Sequence, residues 1–381
     1  MKFLYLDNAA TSYPKPPSVF EAVQHAMEKV GATPGRGAYR NAREALTIVA
    51  QTRNRVARML GIANAESVVF TKNATESINV VLKGWLRQGD RVVISGMEHN
   101  SVVRPLTRLR EMGITIEAIR CTQGGQIELD DLYRRIKSPP RLVVLVHVSN
   151  VNGALEPVEE AAKMCYEAGA PLLLDAAQTA GIQPIHADRW NLGMLACSGH
   201  KALLGPQGVG ILYVRRDLDV LPLTEGGTGS RSEEFMQPDY CPDRYESGTP
   251  NLPGIAGLSA GIEFVMEQGI DSIREHELAL GTSLEDGLAD LPGVSVCRPD
   301  VRGTGAVSFT IDELNPSDVG SLLDVGFDIA VRTGLHCAPL AHQTLGTYPE
   351  GTVRVSPGYS TSADDIEYFL GSVRSMLCRR Q

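Results

Sequence analysis

Four short runs of this chain are apolar and β-branched without a break. They are residues 67–71 (SVVFT), 91–94 (RVVI), 142–146 (LVVLV) and 171–175 (PLLLD). A strand with one face in water alternates apolar and polar residues, whereas an unbroken run is covered on both faces. Between these runs the period is helical. From about Ala42 to Leu60, the residues Ala45, Ile48, Val49, Val56, Met59 and Leu60 share one face, and Gly61 stops the pattern. A second such stretch begins near Ser101 and ends at Gly113. Strand and helix in alternation predict an α/β domain around a mainly parallel sheet covered by helices.

At 381 residues the chain exceeds one ordinary core, so a second unit is expected. The pattern changes near Leu258. A long helical pattern follows from about Ile255 to Gln268 and, after Gly269, from Ile270 towards Leu291, where Pro292 and Gly293 close it. A strand-like segment spans 305–311. Ser362 and Asp365 form a capping box for a last helix, with Ile366, Phe369, Leu370, Val373 and Leu377 as its buried stripe. We expect a large domain over 15–258 and a smaller α+β domain built from 1–14 and 259–381. The glycine-rich stretches 31–37 and 226–230 read as active-site loops, since each sits between ordered elements.

Lys plus Arg number 36 and Asp plus Glu 45, a net charge of −9. This balance excludes nucleic acid and anionic membrane as main partners and suits work on small molecules. The seven cysteines are odd in number and no pair has Cys-x-x-Cys spacing, which argues against a disulfide framework or a zinc knuckle. The N-terminus reaches Asp7 too soon for a signal peptide, and no apolar run approaches the ~18 residues of a membrane span. A cytoplasmic protein with reduced thiols is expected.

The chemistry gathers at the ends of the strand-like runs. Lys201 follows a small-residue turn, in Cys197-Ser-Gly-His-Lys201, and precedes an apolar, glycine-rich stretch. A desolvated lysine there has a lowered pKa and can form a Schiff base; a surface loop lysine is the plainer reading. Asp175 ends a buried strand and can face the ligand crevice or cap the next helix. The turn 70–78, with Ala74 and Thr75, opens a helix whose N-terminus suits a phosphate, or is capped by Asn73 or Thr75. His99 can stack on a planar ring or serve as a cap. Cys337 is a nucleophile, with Arg332 and His336 nearby to favour its thiolate, or a buried structural cysteine. His336, Cys337 and His342 lack the standard zinc spacing.

A phosphate turn, a ring-stacking histidine, a strand-end carboxylate and a Schiff-base lysine, in that order, are what pyridoxal phosphate needs. The sequence resembles the cysteine desulfurases, in the class V aminotransferase branch of the fold-type I pyridoxal-phosphate enzymes. The resemblance runs from Tyr5-Leu-Asp-Asn-Ala-Ala-Thr11 to the last helix, and its most specific segments are Ser198-Gly-His-Lys201 and Arg332-Thr-Gly-Leu-His-Cys337-Ala. It implies that Lys201 holds the cofactor, Asp175 pairs with the pyridine nitrogen and Gln178 with the ring's phenolic oxygen. His99 stacks on the ring and assists proton transfer. Ala74, Thr75, Ser198 and His200 bind the phosphate, and Thr249 reaches the phosphate of a neighbouring subunit in a homodimer. Asn150 and Arg354 hold the substrate carboxylate, and no metal is required.

The resemblance further implies conversion of L-cysteine to L-alanine. The sulfur rests on Cys337 as a persulfide and passes to an acceptor protein or a small thiol, as in iron–sulfur cluster assembly. Sixteen residues separate Cys337 from Arg354, which resembles the short-loop group that includes Suf-type desulfurases and selenocysteine lyases, although Leu335 stands where that group has the first of two histidines. Selenocysteine lyase, or another class V lyase or aminotransferase, is the alternative activity.

Overall fold

The computed structural model describes residues 3–35 and 37–378. A seven-stranded sheet runs in the order β2 (Val68–Thr71), β8 (Gly210–Val214), β7 (Met194–Ser198), β6 (Leu172–Asp175), β5 (Leu142–Val146), β3 (Arg91–Ser95) and β4 (Thr115–Ile119). All neighbours are parallel except at β8, which lies antiparallel to both β2 and β7. The four unbroken runs all become strands here. Val143 and Leu145 of β5 pack on one face, against α2 (Arg40–Met59), α5 (Leu129–Ile136), α6 (Val158–Glu167) and α7 (Leu252–Gln268). Leu142 and Val144 pack on the other, against α3 (Ala74–Trp85) and α4 (Asn100–Arg110). Burial on both sides removes the selection for alternation, which is why these strands read as continuous apolar runs.

The second unit is an antiparallel sheet in the order β12 (Arg332–Gly334), β13 (Thr352–Val355), β10 (Val307–Ile311) and β9 (Val294–Val296). Its apolar face packs on α8 (Ile270–Ala289), α9 (Pro316–Phe327) and α11 (Ala363–Cys378). The predicted box opens α11: Asp365 N–H donates to Ser362 Oγ, and Ser362 N–H donates back to the Asp365 carboxylate. Residues 4–6 pack with this sheet: β1 (Leu4–Tyr5) pairs with β11 (Ile329–Ala330), and Leu4 and Leu6 join its core.

The expected division at 258 falls inside α7. That helix packs against α1 (Pro17–His25) and α2, and its apolar face belongs to the large core as far as Val265. The packing changes over along α8, where Ile273 still joins the large core and Leu280 joins the small one. A short helix, α10 (Pro339–Leu345), lies between β12 and β13 and follows the Cys337 turn. Among the described residues, no helix is long and apolar enough to cross a membrane.

Candidate active site

The segments that leave the carboxyl ends of β2, β3, β5, β6 and β7 wall one cavity of about 230 Å³. Asn73, Ala74, Thr75, His99, Ser101, Asn150, Asp175, Gln178, Ser198, His200 and Lys201 line it. Of the catalytic, cofactor-binding and substrate-binding residues expected from the sequence, all but Thr249, Cys337 and Arg354 are among them.

Burial of the Lys201 amine pushes its pKa down to about 8, although Asp175 opposes the shift. The Lys201 turn is held by the N-terminal segment: Ser12 Oγ donates to Lys201 O (2.9 Å), and Lys15 Nζ donates to His200 O (2.8 Å). Asp175 is not a helix cap. Its Oδ1 accepts from Ala177 N–H at 2.9 Å, and a hydrogen bond from Ser101 meets the same carboxyl. Burial raises the Asp175 pKa, with Lys201 as the one cation that opposes it.

His99 combines both of its sequence readings. It caps α4, with Nδ1 accepting from Ser101 N–H at 3.0 Å, and it also walls the cavity. Burial, reinforced by Lys201 and Arg332, lowers its pKa to about 4, so the ring is neutral with its proton on Nε2. Asn73 caps α3 by accepting from Glu76 N–H at 2.9 Å. Ala74 N–H donates to Ser198 Oγ at 3.4 Å, which joins the helix start to the Lys201 turn. Gly210 permits this approach, since a Cβ there would lie 2.5 Å from Asn73 backbone atoms. His200 is kept neutral by burial, with its pKa near 4, and its buried Nδ1 has no partner.

Cys337 stands on the turn between β12 and α10 of the small unit. His336 and Cys337 are consecutive non-glycine residues in the left-handed region, at φ +48° and +58°. The turn is tied down by Asn150 Nδ2, which donates to His336 O (2.8 Å), and by Asn100 N–H, which donates to Cys337 O (2.7 Å). Cys337 is exposed rather than buried. Arg332 Nη2 lies 3.7 Å from its sulfur, and Cys337 contributes to the electrostatics of Lys201.

Two expectations need correction, those for His336 and for the glycine-rich stretches. His336 does not favour the thiolate. Its ring is buried against Thr352 and His342, and desolvation drives its pKa to about 2, so it carries no charge; Arg332 is the cation at the sulfur. Gln178 Nε2 donates to Ala9 O at 3.0 Å, a main-chain partner that the resemblance did not suggest. Thr249 lines a separate cavity of about 230 Å³ with Thr71, Lys72 and Glu76. The stretch 226–230 does not line the Lys201 cavity but packs by the Ser247 segment, with Gly248 N–H donating to Gly227 O; nor do the described residues of 31–37 line it, Arg36 lying outside them.

Arg354 is buried and already engaged. Nη1 donates to Asn150 O (2.8 Å), Nη2 meets Asp7 Oδ1 at 2.5 Å, and Nε has no partner. Sequence reasoning missed Asp7, although it stands inside the N-terminal motif. No local pattern distinguishes an acid that meets a buried arginine from one in water. Among the described residues, no cluster of His, Cys, Asp or Glu could hold a metal ion.

The aminotransferase class-V family model matches residues 4–369. A probable cysteine desulfurase from Pyrococcus abyssi is 36% identical over 388 residues, covering 98% of this chain and 94% of its own. One from Methanothermobacter thermautotrophicus is 33% identical over 371 residues, covering 96% and 92%. Among solved structures, an apo cysteine desulfurase from Thermococcus onnurineus NA1 superposes with a TM-score of 0.91 at 35% identity, covering 98% of this chain and 94% of that one. The chain belongs to the class-V aminotransferase family, with relatives named cysteine desulfurase along nearly its whole length.

Proposed function

We propose that the chain is a pyridoxal-phosphate-dependent cysteine desulfurase, which converts L-cysteine to L-alanine and keeps the sulfur as a persulfide on Cys337. The placement of Cys337 carries this reading. Its thiol is exposed, beside Arg332 and within the field of Lys201. An aminotransferase on the same fold has no use for a thiol there.

The residues present fit the cofactor that class-V enzymes use. Asp175 is a carboxyl whose pKa is raised by burial, and a protonated pyridine nitrogen would supply a charge that favours its ionised form. The unpartnered Nδ1 of His200, the Ser198 hydroxyl and the N-terminus of α3 suit a phosphate. Lys201 would hold the aldehyde carbon, His99 would cover the ring face, and Gln178 would turn its amide to the phenolic oxygen. When bound, the cofactor supplies an electron sink for charge that develops at the substrate α-carbon.

The chain's own groups do the rest. Asn150 and the unpartnered Nε of Arg354 would orient the substrate carboxylate. The Lys201 amine, with its pKa near 8, takes the α-proton. His99, neutral with a proton on Nε2, is placed to assist proton transfer. The Cys337 thiolate attacks the substrate sulfur, and the sulfur–sulfur bond forms as the carbon–sulfur bond breaks. The bonding pair stays with the three-carbon skeleton, which takes up one proton at the β-carbon, regains the α-proton from Lys201 and leaves as alanine.

The Cys337 turn is short, so an acceptor must bring its own thiol into the site; a protein that inserts a loop or a small thiol meets that need. The separate cavity at Thr249 supports a homodimer in which that hydroxyl serves the phosphate site of a second copy. Seven free cysteines support a reducing, cytoplasmic setting. The test is an assay of the purified holoenzyme with L-cysteine and a reductant, with alanine and sulfide quantified and L-selenocysteine run in parallel. Equimolar alanine and sulfide, lost in Cys337→Ala, support the reading. Alanine from selenocysteine alone moves the activity to a selenium lyase, and alanine from neither overturns the substrate.

A further inference from the structure

Arg354 carries more constraint than a carboxylate anchor needs. Its guanidinium is 1% exposed, yet Asp7 already meets Nη2 at 2.5 Å. Asp7 is itself held in place, because it bridges Ser356 and its carbonyl accepts from the Tyr5 hydroxyl at 3.1 Å. Across the sheet, Arg332 stands opposite Arg354 in the β12–β13 register. Arg332 faces the Cys337 sulfur, so Asp7 is the carboxylate paired with Arg354. A substrate carboxylate that approaches the unpartnered Nε shares its arginine with Asp7.

We propose that Asp7 is a positioning residue that fixes the Arg354 guanidinium and weakens its hold on the ligand carboxylate, so that the product amino acid is released. The inference rests on the desulfurase reading, in which L-cysteine and L-alanine carry the same carboxylate. A group that binds substrate and product equally tightly slows release without aiding the chemistry. Asp7 opposes that outcome through charge, and it prevents the buried guanidinium from turning through its hydrogen bond. The nearby Arg332 adds to the burial that lowers the Arg354 pKa, and Asp7 opposes both, so the fixed counter-charge is more necessary.

The test compares two ligands on the purified holoenzyme by calorimetry. L-alanine and ethylamine differ only by the carboxylate, so the ratio of their Kd values reports what the carboxylate contributes. Asp7→Asn keeps an acceptor and removes the charge. The ratio should rise about threefold or more in favour of alanine, as expected for loss of a competing charge in a partly screened site. KM for L-cysteine should fall with no gain in kcat. Asp7→Ser is the second neutral variant, should Asn fail to fold. A ratio at or below the parent value in a folded neutral variant overturns the proposal. So does misfolding of both, which would make Asp7 a structural requirement. A parent enzyme that binds alanine no better than ethylamine overturns it even if sulfide is made. The expected ratios without any sulfide would leave Asp7 assigned and sink the desulfurase reading instead.

Discussion

The backbone carbonyl of Cys337 accepts a 2.7 Å hydrogen bond from the amide of Asn100, the residue after His99. One bond thus links the proposed nucleophile, on the small unit, to the proposed ring-covering histidine, on the large one. The first amides of a helix have no partner within it, and Asn100 opens α4. Cys337 uses that spare donor, which helps to hold two consecutive non-glycine residues in the left-handed region.

This bond can be deleted without breaking the helix. Proline is accepted at the first helical position, and His99 has the extended backbone (φ −73°, ψ 158°) that precedes a proline readily. Asn100→Pro should therefore keep α4 and the cofactor absorbance. It should cost about 1 kcal/mol of stability, the worth of one hydrogen bond. Desulfuration should fall about tenfold as the Cys337 turn loosens, which corresponds to 1.4 kcal/mol in the barrier. Circular dichroism and the alanine assay check both halves, and unchanged turnover would mean that the turn holds itself.

Cys337→Ser separates sulfur chemistry from cofactor chemistry. The hydroxyl cannot keep sulfur as a persulfide, so alanine formation from L-cysteine should drop by at least about a thousandfold, as when a nucleophile is removed from a working set. The cofactor spectrum and the melting temperature should stay at parent values. Residual sulfide near the parent rate would remove Cys337 from the reaction.

Glu277 of α8 is buried, lines a cavity that also touches Lys201, and has its pKa pushed up to about 8 by desolvation alone. The folded chain holds this proton between pH 4.5 and 8, where the unfolded chain releases it. The stability it contributes is therefore whole below about 4.5 and is lost as pH rises towards 8. Glu277→Gln removes the titration. At pH 8.5 the variant should be more stable than the parent, by on the order of 3 kcal/mol. The difference should vanish near pH 4.5. Urea unfolding at four pH values measures it, and a pH-independent difference would show that Glu277 ionises without cost.

Gly210→Ala tests the close approach behind the helix start. The added Cβ would lie 2.5 Å from Asn73 main-chain atoms, which cannot swing aside as a flexible side chain can. We expect a loss of about 2 kcal/mol from overpacking. Because Asn73 caps α3, cofactor affinity should fall as well. Retained affinity at lowered stability would show that the α3 start tolerates the shift.

Most of the architecture was legible because it is written in nearest neighbours. The run LVVLV at 142–146 became β5 because its side chains alternate between two covered faces, and both require apolar residues. The stripe on α11 and its Ser362–Asp365 box were read from spacing alone, and both are present, though Leu377 is only partly buried. The division at 258 met the middle of α7, since a helix with apolar residues on much of its circumference gives no sign of which core receives it.

By itself, the sequence determined which residue types stand at each strand end. Lys201, Asp175, His99 and the Ala74–Thr75 turn follow four different strands, and a parallel sheet delivers all four to one edge. Only the tertiary structure decided which partners they meet. His336 turned away from Cys337 and into the protein, Arg332 took its place at the sulfur, and Asp7 met Arg354 across almost the full length of the chain. Secondary structure follows a period of two or 3.6 residues, which a short window contains. A pairing between distant residues is set by where crossovers and crossing segments return the backbone, and burial then fixes which charge each group bears.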